Sequence, residues 1–103
     1  MMIIPEIDEQ TLEELSHVVR VNRTAKTDEE LGEHYQAALL DMSRQGIRML
    51  DVSDPLIWQA VKLYTKAYYG YDTNTERFLE AYEKLSASIS LCGEYSQEGG
   101  DTV

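Results

Sequence analysis

Apolar residues recur along most of this chain at the three- and four-residue spacing of amphipathic helices. Leu12, Leu15 and Val19 predict a first helix over about residues 11–20. Leu31, Tyr35, Ala38, Leu39 and Met42 form a clean stripe for a second over about 28–45, with Gly46 as its stop. Ile57, Ala60, Val61, Tyr64, Ala67 and Tyr68 predict a third from Pro55 to about Tyr69. Leu56 and Leu63 widen that stripe, which marks this helix as the central element, buried on two sides. Phe78, Ala81, Tyr82, Leu85 and Ile89 give a fourth over about 75–92. Residues 47–52 (IRMLDV) fit either a short extended piece or a tight connection.

The start signals agree with this count. Thr11-x-x-Glu14, Thr27-x-x-Glu30 and Thr73-x-x-Glu76 each match the capping box, in which Thr takes a first-turn amide and Glu reaches back. Asp54-Pro55 supplies a fourth start, because Pro at the first helical position gives up no needed hydrogen bond. The expected architecture is an all-α, small four-helix bundle over residues 11–93 with short loops. Residues 1–10 read as a lead-in from which Ile3, Ile4 and Ile7 could dock. Residues 94–103 are polar and Gly-containing and read as a flexible acidic tail.

A length of 103 residues allows one domain with a modest core. Nine Lys and Arg stand against nineteen Asp and Glu, a net charge of −10. Such a surface lacks the attraction to phosphate that drives nucleic-acid and anionic-membrane binding. No apolar run approaches the roughly 18 residues of a membrane span. The acidic N-terminal residues do not resemble a secretory signal, and the single Cys92 cannot form an internal disulfide. A cytoplasmic, metal-free domain is the expectation.

The chemical candidates are thin. Glu14-x-x-His17 has the spacing of a di-metal half-site, but His34 has no matching pair and His17 lies off the apolar stripe, so surface histidines are the simpler reading. Ser86, Ser88 and Ser90 sit in no nucleophile elbow, and no pattern ties Cys92 to a histidine. No glycine run forms a phosphate cradle. No catalytic residue, metal or cofactor is expected. Arg20, Arg23 and Lys26 cluster in the first loop, where offsetting nearby acids is favoured over binding a partner.

The aromatics carry more. Tyr64, Tyr68, Tyr69, Tyr71 and Tyr82 crowd the third and fourth helices, and successive helical residues diverge by about 100°. Some of these rings should face out, and Trp58 is a further candidate for the surface. Tyr and Trp are favoured at interfaces. Trp58, Tyr68, Tyr69, Tyr71 and Asp72 are the candidate interface residues, against the alternative of tyrosines at the core edge.

Residues 54–95 resemble the phage head–tail connector family, also described as DNA-packaging or head-completion proteins. The resemblance rests on Asp-Pro-Leu-Ile at 54–57, Gln-Ala-Val at 59–61 and an aromatic Gly-Tyr-Asp turn at 67–72. A Phe-x-x-x-Tyr-x-x-Leu helix follows, with Phe78, Tyr82 and Leu85, and leads to a Ser-Leu segment ending at Gly93. The N-terminal half agrees loosely through Leu-Glu-Glu-Leu at 12–15 and Asp-Glu-Glu-Leu at 28–31. It departs from the family at 18–22, where Val-Val-Arg-Val-Asn stands in place of a compact Leu-Arg motif. The resemblance implies a non-enzymatic adaptor of the virion that forms a ring, commonly a dodecamer, under the portal protein. That ring extends the channel for packaged DNA and supports the next head–tail joining or tail-completion protein, without sequence-specific DNA contact. Its ring contacts would join unlike faces of neighbouring subunits. The acidity suits a channel wall to which DNA does not stick, and equally suits simple solubility. The competing reading is a small acidic regulatory binder, of antitoxin or DNA-mimic type, that captures a basic partner.

Overall fold

Each helix begins where a side chain or carbonyl can take over the amides that the first turn leaves unpaired. The computed structural model describes residues 6–69 and 74–96. Helix α1 (Glu9–Val18) starts on Asp8, whose carboxylate accepts from the Thr11 N–H at 2.8 Å. The expected Thr11/Glu14 box is therefore displaced upstream, since a carboxylate is a strong acceptor and also suits the positive end of the helix. Helix α2 (Ala25–Arg44) starts on Thr24 and not on Thr27. The two threonines cap reciprocally: Thr27 N–H donates to Thr24 Oγ1 at 3.1 Å, and Thr24 N–H to Thr27 Oγ1 at 2.8 Å. Glu30 is left for another role, below.

Helix α3 (Pro55–Tyr68) begins as anticipated. Asp54 Oδ2 accepts from Leu56 N–H at 3.0 Å and Ile57 N–H at 3.2 Å, with Pro55 next in the chain. Helix α4 (Thr75–Ser90) follows Asn74, whose carbonyl accepts from Arg77 and Phe78. Thr73, the expected cap, lies outside the described residues.

The first two helices end on one hydrogen-bond pattern. After α1, Arg20 N–H donates to the His17 carbonyl (3.2 Å) and Val21 N–H to that of Ser16 (3.0 Å). After α2, Gly46 N–H donates to Ser43 (3.0 Å) and Ile47 N–H to Met42 (3.1 Å). Both are Schellman turns, which need a left-handed residue just past the helix. Gly46 holds φ +96° and Arg20 holds φ +60°. The first helix thus stops two residues short of the expected Arg20.

The result is an all-α bundle of four main helices, with no strand among the described residues. Helix α3 packs against α1, α2 and α4 and buries Ile57, Ala60, Val61 and Thr65. Thr65 satisfies its hydroxyl by donating to the Val61 carbonyl at 2.8 Å. The α2 stripe is buried in full: Leu31, Tyr35, Ala38, Leu39 and Met42. The widening of the α3 stripe is only half realised, because Leu63 packs against the core while Leu56 stays 44% exposed. Leu56 sits about 100° around the helix from Ile57.

Residues 47–52 form neither helix nor strand, yet Ile47 and Leu50 are buried. They are tied down by a segment expected to be loose. Gly93–Ser96 make a helical turn, α5, and bury Tyr95. The Tyr95 carbonyl accepts from Arg48 N–H (2.6 Å) and Met49 N–H (3.1 Å), and its hydroxyl donates to Asp54 at 3.0 Å. Residues 94–96 therefore belong to the folded domain, because one aromatic ring anchors them; residues 97–103 lie outside the described part. At the other end, Ile7 packs against the core, while Ile3 and Ile4 are outside the described residues.

Candidate functional site

The tyrosines of α3 sort by helical angle into different environments. Tyr64 and Tyr68, one turn apart, touch with ring centroids 4.6 Å apart and planes tilted by 43°. Tyr64 meets the buried Tyr82 of α4 edge-on at 5.2 Å, while Tyr68 is 54% exposed. Tyr69 points away from that ridge. Its hydroxyl donates to Glu30 Oε1 at 2.9 Å and its ring lies 5.4 Å from His34, so it ties α3 to α2. Glu30, expected to complete a capping box, serves this tie instead. Tyr71 and Asp72 lie outside the described residues.

Trp58 is elsewhere. Ten residues before Tyr68, it is roughly 15 Å away along the axis. It is half-buried in a groove of about 330 Å³ shared with Asp8, Glu14 and Asp51, and the Lys62 ammonium lies 5.9 Å from its ring. The structure therefore does not bring Trp58 together with Tyr68.

Two open grooves flank the Tyr64–Tyr68 ridge. One, about 280 Å³, is lined by Glu33, His34 and Ala37 of α2 together with the two tyrosines. The other, about 340 Å³, lies between α2, α3 and α4 and is lined by Asp41, Gln45, Tyr64, Tyr68, Leu79, Tyr82, Glu83 and Ser86. Its floor is a hydrogen-bonded chain. Tyr82 Oη donates to Asp41 Oδ2 at 2.5 Å, and Gln45 Nε2 donates to that same oxygen at 3.0 Å and to Ser86 Oγ at 3.1 Å. Burial, reinforced by the adjacent Asp41, pushes the Tyr82 phenol far above the ordinary tyrosine value, and burial raises Tyr64 as well. Both hydroxyls stay protonated at neutral pH, and that of Tyr82 donates to Asp41.

The remaining candidates have structural surroundings. His17 is exposed and 3.0 Å from Glu13, not Glu14. His34 is half-buried, with Nδ1 2.8 Å from the Glu30 carbonyl oxygen. Among the described residues, no group of three or more His, Cys, Asp or Glu is placed to hold a metal ion. Arg23 offsets neighbouring acids. Its guanidinium bridges Glu9, Glu13 and Asp28, joining α1 to the start of α2, and holds all three carboxyls below their usual range. Arg20 and Lys26 stay exposed.

No protein-family model, no curated protein and no solved structure matches the chain.

The ridge was legible in the sequence as surplus tyrosine, since neighbouring ring positions cannot all face inward. Asp41 was not: it lies between Ala38 and Met42 of the buried stripe, and its partner Tyr82 is 41 residues away.

Proposed function

We propose that this chain is a phage or prophage head–tail connector, a non-enzymatic adaptor that assembles as a ring under the portal protein. The observation that supports this reading best is the exposed Tyr68 on the central helix, standing between two open grooves. It lies within residues 54–95, the stretch that carries the resemblance to that family. A large ring held on a rigid helix gives a subunit area to bury at small entropic cost. In a ring, Tyr68 of one subunit meets a different face of the next, the head-to-tail contact that closes a cyclic assembly. The net charge of −10 suits a channel wall that repels phosphates and lets packaged DNA pass. The protein would reside at the head–tail junction of the virion, and in the host cytoplasm during assembly, where the next joining protein docks on the completed ring.

The test is co-sedimentation with purified portal rings encoded in the same source genome, followed by negative-stain imaging. A stoichiometric shift with an added layer on the portal is the expected result, and Tyr68→Ala should lose the layer while keeping its helical circular dichroism. Tyr68 is better suited to this than Tyr69, whose hydroxyl bonds Glu30 within the fold. Absence of binding to portal rings and to DNA-filled capsids at tens of micromolar protein would overturn the adaptor reading.

A further inference from the structure

We infer that the groove between α2, α3 and α4 seats an arginine side chain presented by a partner protein. The inference concerns the chemistry of the groove and does not depend on the adaptor reading. Tyr64 and Tyr68, in contact at a tilt of 43°, form an aromatic wall, and Asp41 and Glu83 supply carboxylates. Among the described residues no lysine or arginine lines the groove. Asp41 is held in advance of any ligand. Tyr82 and Gln45 both donate to Oδ2, and Gln45 is anchored in turn on the fully buried Ser86. Oδ1 keeps its acceptor capacity. A fixed carboxylate beside a tyrosine face matches a guanidinium, which is planar, stacks on aromatic rings and donates in a fork. A lysine ammonium is more strongly hydrated and gains less from the ring face. An anionic ligand would meet two carboxylates and a chain of net charge −10.

The experiment is an NMR titration of the whole chain with N-acetyl-arginine N-methylamide, with the lysine and citrulline counterparts in parallel. Citrulline has nearly the shape of arginine but no charge. The arginine compound should shift the Tyr64, Tyr68 and Tyr82 ring signals saturably, with Kd on the order of millimolar. The lysine compound should bind about threefold more weakly or worse, and the citrulline compound about tenfold. Tyr68→Ala and Glu83→Gln, both at exposed positions, should each weaken arginine binding by about three- to tenfold with helicity unchanged. Asp41→Asn keeps an acceptor for Tyr82 and should weaken it too. Shifts that do not saturate, equal binding of citrulline or lysine, or arginine binding untouched in both exposed variants would each overturn the assignment.

Discussion

Helices α1 and α2 stop in the same way on very different residues. Both turns place a left-handed residue after the helix and send two amides back to its last carbonyls. At the end of α2 that residue is Gly46, which has no Cβ to strain at φ +96°. At the end of α1 it is Arg20, which bears the strain of φ +60°. The residue that follows differs as well. Ile47 is fully buried, whereas Val21 is only partly buried against the core. The α2 turn therefore rests on local geometry and on apolar burial together. The α1 turn has less of both: its left-handed residue carries a Cβ, Val21 is only partly buried, and the Arg23 bridge to Glu9, Glu13 and Asp28 adds an exposed tie between α1 and the start of α2. Equal hydrogen-bond patterns do not imply equal strength.

The largest expected break comes from the buried residue after each turn. Ile47→Ala should cost about 2–5 kcal/mol in urea unfolding, and Val21→Ala about 1 kcal/mol or less, because the cost follows how completely the removed methyl groups were buried.

Exchanging the left-handed residues sharpens the comparison with opposite signs. A Cβ at Gly46 meets nothing within 4 Å, so Gly46→Ala tests backbone strain alone and should cost about 1–2 kcal/mol. Arg20→Gly should be neutral to stabilising, by up to about 1 kcal/mol, since the relief of φ strain is opposed by added freedom in the unfolded chain. The thermal midpoint should fall for Gly46→Ala and hold or rise for Arg20→Gly.

The smallest effect is electrostatic and falls on α1 and the first turn of α2. Arg23 holds Glu9, Glu13 and Asp28 below their ordinary values of 4.5, 4.5 and 3.8. Lowered carboxyl values mean that this stabilisation is complete above those ordinary values and is lost as pH falls through the lowered ones. Amide protection in α1 and the first turn of α2, taken relative to intrinsic exchange, should therefore fall below about pH 4.5 before that in the rest of α2 does, and Arg23→Gln should remove the difference. Added salt should act in the same direction, because Glu9 and Glu13 are exposed and Asp28 is only half-buried.

The same pair of turns shows what a sequence can reveal. Gly46 was legible as a stop because glycine is the residue that left-handed geometry favours. Arg20 carries no such signal, and the expected first helix ran to it. The helical stripes were legible because burial repeats at the helical period, and every expected α2 position is buried. The caps of α1 and α2 were each misplaced by three residues, since Asp8 and Thr24 compete with the later threonines on hydrogen-bond geometry that spacing does not encode. Of the candidate surface, the outward Tyr68 follows from angular bookkeeping along one helix. The inward commitment of Tyr69 does not, because it depends on Glu30 39 residues earlier. Angular position around a single helix is readable in the chain. Contacts made across the bundle are not.

The placement of Tyr95 bears on how the protein is made. Asp54 caps α3 early in the chain, yet the tyrosine hydroxyl that donates to it arrives 41 residues later. At about 5–20 residues per second, synthesis leaves that carboxylate without its tyrosine for roughly 2–8 s. Throughout that interval the amides of Arg48 and Met49 also lack the carbonyl that receives them in the finished fold. The seam between residues 47–54 and the bundle therefore closes only after Tyr95 has been synthesised.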